Sequence, residues 1–515
     1  MVILFIFIRD NPKANTSKSS YSLNYYNKAY FSGCLHLVFL AAMLNFTLPF
    51  SVRGKSRTLE ESAIPAFPGA EGAGAFTPGG RGGRIFEVTN LGDAGPGSLR
   101  AALEAQRPRI VIFGISGIIT LEKDLTISNP YITIAGQTAP GDGICIRGQT
   151  TEINTHDVVL RYLRFRRGNI KERNDALGGY PVGNIIVDHC SASWGLDENL
   201  SLYRHMKKMP DGSEKKMPAE NITIQWCISS EALDLNNHAF GATWGGKNCS
   251  FHHNLFACNT GRNPSIGWGD HFDFRNNVIF NWRHRTVDGG DASSMVNIVA
   301  NYYKPGPAVN RGASSYRICR PQHLDMYSEA GREGKWYVAE NFVAGNPKVS
   351  ADNWAGGVQF DDLETQQEIN ALIAKVRGKT AAPAPYVTQQ SAEEAYELVL
   401  SGAGATLPKR DSVDARIINI VRTGKPSYKN GIIDVPSDVG GWPQYKSTAA
   451  PADSDHDGMP DSWEKKFGLR WNDSSDGAED ADNDGYTNVE ECLNGTDPKQ
   501  YIDYRKPENN KSLLR

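Results

Sequence analysis

From about Arg109 onward, short apolar runs alternate with polar breaks in one recurring theme: RIVIFGISGIITL, LTISNPYITIAGQ, DVVLRYLRFRRG, NIIVDHCSASW, NITIQWCISS, NCSFHHNLFA, HFDFRNNVIFNW, MVNIVANYYK and KWYVAENFVAG. Within them apolar residues tend to fall at every second position, the period of a strand with one buried face, so each run predicts one or two short strands. Cys190, Cys227, Asn254, Asn277, Asn301 and Asn341 align, at steps of 37, 27, 23, 24 and 40 residues. Such irregular periods are expected when a coil of fixed size carries loops of variable length, which is solenoid behaviour. Stacking the strands in parallel places interior residues in ladders along the axis, with the recurrent asparagines satisfying backbone groups at the bends. The prediction is an all-β protein, a right-handed parallel β-helix. A β-sandwich would want hairpin turns at short regular intervals, and Asn-Gly or Asp-Gly hairpin signals between the runs are few.

The pattern divides the chain into four parts. Residues 1–57 read as a leader, in which Leu35 to Phe50 is an apolar stretch suited to a secretory signal behind an over-extended start, the alternative being a short membrane anchor. Residues 58–350 are the β-helix. Residues 351–445 are a segment with short helices that wraps the solenoid's side or caps its open end. Within it, Ser391 and Glu394 form a capping box and Gly402 follows, predicting a helix over Ser391 to Leu400; a second covers Val413 to Arg422, closed by Gly424. Residues 446–515 are an acidic tail.

Composition narrows the function. With 55 Lys plus Arg against 58 Asp plus Glu, the net charge is −3, which leaves no electrostatic footprint for nucleic acid. No stable membrane span is predicted, and a monomer is expected. Eight cysteines in 515 residues are too sparse for a disulfide scaffold, and Cys190, Cys227, Cys249 and Cys258 read as buried small hydrophobes.

The tail carries the clearest motif. DSDHDGMPDSWE fits the calcium loop D-x-[DN]-x-[DN]-G-x5-E, placing Asp453, Asp455, Asp457, the Met459 carbonyl, Asp461 and Glu464 at ligand positions. DADNDGYTNVEE fits it again with Asp480, Asp482, Asp484 and Glu491, and Gly458 and Gly485 stand where the loop turns sharply. These loops resemble the aspartate-rich calcium repeats of thrombospondin type 3 and dockerin-like modules, and their expected role is structural.

The run AFPGAEGAGAFTPGGRGGRIFEVTNLGDAGPGSLRAAL, then VIFGISGIITL, ITIAGQTAPGDGICI, VVLRYLRFR, NIIVDHCSASWGLDENLS and FHHNLFACNTGRNP, resembles the pectate lyases of polysaccharide lyase family 1, especially the secreted bacterial branch. The resemblance spans roughly Ala66 to Tyr303. It implies a calcium-dependent cleft on one sheet, an exported protein, and cleavage of the pectic polysaccharide polygalacturonate by β-elimination to 4,5-unsaturated products. By the same resemblance the calcium carboxylates fall on Asp175 and on Asp197 or Glu198, while Asp188 reads as structural. Arg262 in GRNP matches the catalytic arginine that removes the C5 proton; the alternative is Arg262 as a carboxylate clamp with hydroxide or water as base, because guanidinium is normally protonated. The sequence departs from the family at two cations: Ser265, Ile266 and Gly267 stand where a second arginine is usual, and the loop NNHAFGATWGG lacks the usual lysine. His238, Arg283 and Arg285 are the expected substitutes at the substrate, with exposed solenoid residues as the competing reading. Trp194, Trp244 and Trp268 are candidates for stacking on sugar rings or for packing inside the coils. Two rival functions are a pectin lyase-like enzyme on methyl-esterified chains and a non-catalytic pectin-binding β-helix.

Overall fold

In the computed structural model the runs stack in parallel, each strand pairing with its equivalent one coil earlier and one coil later. The structure describes residues 63–514 apart from 236, 323–331 and 362. The leader expected at 1–57, including its apolar stretch and Cys34, lies outside the described residues. The first sheet rises through Arg84–Val88, Arg109–Phe113, Ile132–Ala135, His156–Arg161, Gly183–Asp188, Glu220–Gln225, Thr243–His252, Phe272–Arg275, Met295–Val299 and Lys335–Ala339. A second, nine-stranded sheet runs from Gly117–Thr120 to Phe342–Val343. A third face starts with Leu125–Ile127, Thr151–Ile153 and Leu177–Gly178, and continues through single bridges at Leu200 and Leu202 to Thr243–His252, Ser265–Gly269, Val287–Gly289 and Cys319–Pro321. The parallel β-solenoid predicted from the repeats is therefore the fold.

Register explains why alternation was so readable. Val111, Ile134, Leu160, Val187, Ile224, Phe251, Phe274, Ile298 and Val338 pair in succession, so one interior column is apolar from end to end. Every one of them is buried, and each such side chain contributes roughly 1.5–3 kcal/mol of apolar burial.

The spaced Cys and Asn residues form a hydrogen-bonded ladder at one corner. The backbone N–H of Cys190 donates to Cys227 Sγ, that of Cys227 to Asn254 Oδ1, that of Asn254 to Asn277, that of Asn277 to Asn301, and that of Asn301 to Asn341. The irregular sequence steps are thus the true lengths of successive coils. Asn353 adds one more rung, donating and accepting with Asn341. One residue before each ladder position the backbone is left-handed: His189, Trp226, His253, Asn276, Ala300 and Glu340 have φ between 49° and 61°. Tyr162, His189, Trp226 and His253 stack ring on ring along this corner, with centroids 4.3–5.8 Å apart.

Residues of the 351–445 segment lie both at the end of the interior core and on the solenoid's side. Trp354, Val358 and Phe360 continue the interior core beyond the last coils, with Leu372 and Ile373 half-buried beside them. Two helices lie on the side, Ala392–Gly402 with the Ser391–Glu394 capping box and Ser412–Thr423 ended by Gly424 at φ 70°. Gly402 is the last helical residue rather than the one beyond it, and Ala403 caps. Tyr396, Val399, Leu400, Ile417, Ile420 and Val421 pack on Ile228, Leu255, Val278 and Phe280 of the second sheet. Buried Arg166 pairs with Asp411 and Asp414, each at 2.9 Å, which fixes the docking angle through charge as well as shape. Cys190, Cys227, Cys249 and Cys258 are free and buried, matching their reading as small hydrophobes, and Cys145 and Cys319 are buried likewise.

Candidate active site

Four neighbouring rungs of the third face bring the predicted residues together. The backbone N–H of Ala176 donates to the Glu198 carbonyl, Glu198 bridges Phe240, Phe240 bridges Gly261, and the Ala242 N–H donates to the Arg262 carbonyl. Gly241 is required between them, because a Cβ there would meet the Arg262 carbonyl oxygen at 2.7 Å. Arg262 itself is held at φ 52°, which turns its side chain out at the bend. The result is a cleft of about 240 Å³ lined by Asp175, Asp197, Glu198 and Arg262, together with Asn174, Tyr180, Ser201, Tyr203, Arg204 and Thr243.

The acids are crowded. The Asp175 Oδ1 accepts the Glu198 N–H at 2.9 Å. Glu198, buried, accepts the Thr243 hydroxyl at 2.8 Å and a close contact from Arg262. Asp197 accepts Arg173 at 3.0 Å and lies in close contact with His238 Nε2. Burial and then the Glu198 charge push the Asp175 carboxyl well above its ordinary range. Burial also raises Glu198, against the opposing pull of Arg262. For Asp197, burial raises the value but Arg173 and His238 outweigh it, and the net shift is downward. The ligand atoms of Asp197, Glu198 and His238 lie within 4.8 Å of one another. Asp175 and Glu198, whose ionisation burial opposes, stand beside Asp197 as a set of hard oxygen donors, and those carboxylates fit a cation of the calcium class.

Phe240 organises the cations. The Arg262 guanidinium carbon sits 4.5 Å from its ring centroid, that of Arg285 sits 4.7 Å away, and the His238 ring is at 4.0 Å. Of the expected substitutes, Arg285 from the next coil therefore shares a ring with Arg262, and His238 reaches the acids. Arg283 does not: it is turned to Asp234 at 2.7 Å.

Trp244 needs correcting as a substrate residue, and for it and Trp194 the packing alternative holds. Trp244 is buried in the coil interior, stacked 4.8 Å from Phe251, because it points inward from the third face next to outward-facing Thr243. It has no surface to offer a sugar. Trp194 is likewise buried, edge-on to Trp442. Trp268 is half-exposed but lines a separate groove of about 750 Å³ with Lys215, Lys216 and Lys247. Asp188 is fully buried between Arg161 at 2.9 Å and His189 at 2.7 Å, as a structural residue should be.

In the tail, Asp453, Asp455 and Asp457 converge, as do Asp480, Asp482 and Asp484. Asp461 does not join them, since its carboxylate accepts from the Ser454 N–H at 2.8 Å and from Lys465 at 3.1 Å. Asp476, from the segment between the two loops, stands instead with Asp457 and Glu464. Burial first, then neighbouring acids, pushes Asp457 up to about 7 and Glu464 and Glu491 up to about 8. Arg173, Thr243 and Asp476 were missed in the sequence because each acts from outside its motif; only the nearness of Arg173 to Asp175 was a signal.

No family model matches the chain. It is similar to the probable pectate lyase C of Aspergillus flavus, 34% identical over 455 residues that cover 85% of this chain and 96% of the relative. The corresponding protein of Aspergillus terreus is 35% identical over 454 residues, again 85% and 96%. Among solved structures, a pectate lyase from Bacillus sp. N165 in complex with trigalacturonate is 16% identical, with a TM-score of 0.44 over 65% of this chain and 98% of that one. Fungal relatives a third identical and matched over nearly their whole length decide the question of kinship: the chain belongs to the pectate lyase family.

Proposed function

We propose that this protein is a calcium-dependent pectate lyase that cleaves (1,4)-linked galacturonan by β-elimination and leaves 4,5-unsaturated oligogalacturonides. The observation that carries the reading is the cleft itself, where Arg262 meets Glu198 on rungs adjoining Asp175 and Asp197. Asp175, Asp197 and Glu198 would hold calcium, which when bound would supply positive charge beside a substrate uronate and so acidify the neighbouring C5–H. Arg262, at the cleft's edge, takes the C5 proton; the electron pair forms the C4=C5 bond as the C4–O bond breaks, and the departing sugar oxygen takes a proton from water. A guanidinium serves as a base only in its neutral form. Phe240 holds Arg285 beside Arg262. Arg204 lines the same cleft, and Arg173 and His238 contact Asp197 at it, an arrangement that suits a polyanionic chain. Alkaline activity is the expected signature.

Export belongs to the proposal too. Among the described residues no helix is long and apolar enough to cross a membrane. An affinity to a secreted bacterial branch is proposed from the two-loop tail.

The test is ultraviolet absorbance growth on polygalacturonate at alkaline pH, with calcium and then with chelator, for the wild type and Arg262→Ala. A calcium-dependent signal abolished by the substitution is expected. Growth on methyl-esterified pectin alone would favour the pectin lyase reading, and binding with no signal on either substrate would favour a non-catalytic role.

A further inference from the structure

The tail departs from two self-contained calcium loops in a way that concerns the whole molecule. In the first loop the Asp453, Asp455 and Asp457 carboxylates lie within 4.8 Å of one another, and so do those of Asp457, Glu464 and Asp476. Glu464 is 0% exposed and Asp476 2%. Both carboxylate oxygens of Asp455 and of Glu464, Oδ2 of Asp457 and Oδ1 of Asp476 are buried without a hydrogen-bond partner. The other oxygen of Asp476 accepts the Arg470 N–H at 2.7 Å, which aims Oδ1 at the cluster. In the second loop Asp482 Oδ2, Asp484 Oδ2, Asn488 Oδ1 and Glu491 Oε1 are in the same unpartnered state. Buried carboxylate oxygens with no donor are strongly disfavoured, so this many in one place point to a cation.

The loops are also joined, to each other and to the solenoid. Asn488 donates from its side chain to the Asp476 carbonyl at 2.8 Å and from its backbone to that of Glu479 at 2.7 Å. Met459, Val489 and Leu493 are buried against Ile110, Ile112 and Ala135 of the first coils. Glu490 pairs with Arg81 at 2.8 Å, the Tyr486 hydroxyl donates to the Pro65 carbonyl at 3.0 Å, and Arg161 donates to Asn494 at 2.9 Å.

We infer that the tail takes two divalent cations of the calcium class, one on Asp453, Asp455, Asp457, Glu464 and Asp476 and the other on Asp480, Asp482, Asp484 and Glu491, and that they clamp it onto the first coils. Asp476 is thus a ligand from outside the first loop, and Asp461 is a loop-shaping residue. The number of carboxylates and their flexible loops favour calcium over magnesium, which keeps several waters and a strict octahedron. The clamp stands apart from the cleft and does not depend on the lyase reading.

The experiment uses the full chain. Terbium luminescence sensitised by the tail's Trp463 and Tyr486, displaced by calcium or magnesium, reports affinity. Calorimetric melting with calcium and after chelation reports the clamp, and hydrogen exchange at residues 453–498 locates it. Asp476→Asn is expected to weaken the first site by about tenfold or more, the size of one lost ligand contact, and Asp461→Asn to change it by less than about threefold. Glu464→Gln repeats the Asp476 test, and each amide, carrying one charge fewer, folds at least as well without metal. Chelation is expected to lower the melting temperature and speed exchange in the tail, equally in Arg262→Ala. If Asp461→Asn weakened binding more than Asp476→Asn, the site would be a self-contained loop and the ligand assignment would fall. If chelation left melting and tail exchange unchanged, the clamp would be wrong.

Discussion

Replacing Phe240 by leucine removes the one surface that Arg262 and Arg285 share. The two guanidinium carbons lie 4.5 and 4.7 Å from the ring centroid, within range of a cation–π attraction worth about 1 kcal/mol for each partly buried pair. Losing both removes about 2 kcal/mol of positioning, which is up to about 30-fold in kcat/KM if Arg262 must sit as the ring now holds it. Leucine keeps most of the apolar volume, and the ring is 6% exposed, so the fold itself should lose only about 1 kcal/mol. Tyrosine keeps the aromatic face and should keep most of the activity. The assay is the initial rate of product absorbance on polygalacturonate across substrate concentration, beside thermal melts of the same samples. Phe240→Leu within twofold of the wild type would refute the argument, as would Phe240→Tyr losing as much as Phe240→Leu.

Three further outcomes follow from the packing. Asn277→Ala strips the partner from the Asn254 N–H and from the Phe251 carbonyl, two buried groups whose loss costs roughly 3 kcal/mol together, to be read as a lower midpoint in urea. Trp244→Ala empties the coil interior at the cleft's back wall and should destabilise by roughly 3–5 kcal/mol while leaving KM for the folded fraction unchanged; a raised KM with an unchanged melting temperature would return Trp244 to the substrate. Burial alone would raise Asp411, but Arg166 and Arg164 hold it at about 2. Since that lies below the unfolded value near 3.9, Asp411 contributes roughly 2 kcal/mol of stability above pH 4 that is lost as pH falls toward 2. Acid unfolding of Asp411→Asn should lack that part of the slope.

The solenoid was legible because its regularities are local. An apolar column needs alternation within each run, and the asparagine ladder needs one residue per coil, so both leave a spacing that survives variable loops. The capped helices were legible for the same reason, Ser391 and Glu394 being three residues apart. What escaped is what depends on the path between coils. Arg283 and Arg285 are two residues apart in one turn, and only its course sends the first to Asp234 and the second to Phe240. Trp244 and Trp268 lie on neighbouring strands whose register shifts after Trp244, so equal motif proximity put one inside and the other out. Asp461 matched the loop by position, yet Asp476, beyond the motif, points at the cluster.

The left-handed corner beside the asparagine ladder constrains how this molecule can diversify. Histidine, tryptophan, asparagine, alanine and glutamate all occupy its single bend residue, so several side chains are accepted there while length is fixed. One residue more or fewer would turn every following side chain to the opposite face. Coil lengths still range from 23 to 40 residues, and the surplus sits in the loops that leave the other corners, including those that build the cleft. New specificities can therefore be grafted as whole loops without disturbing the column beneath them, which makes the asparagine corner the hinge pin of a modular scaffold.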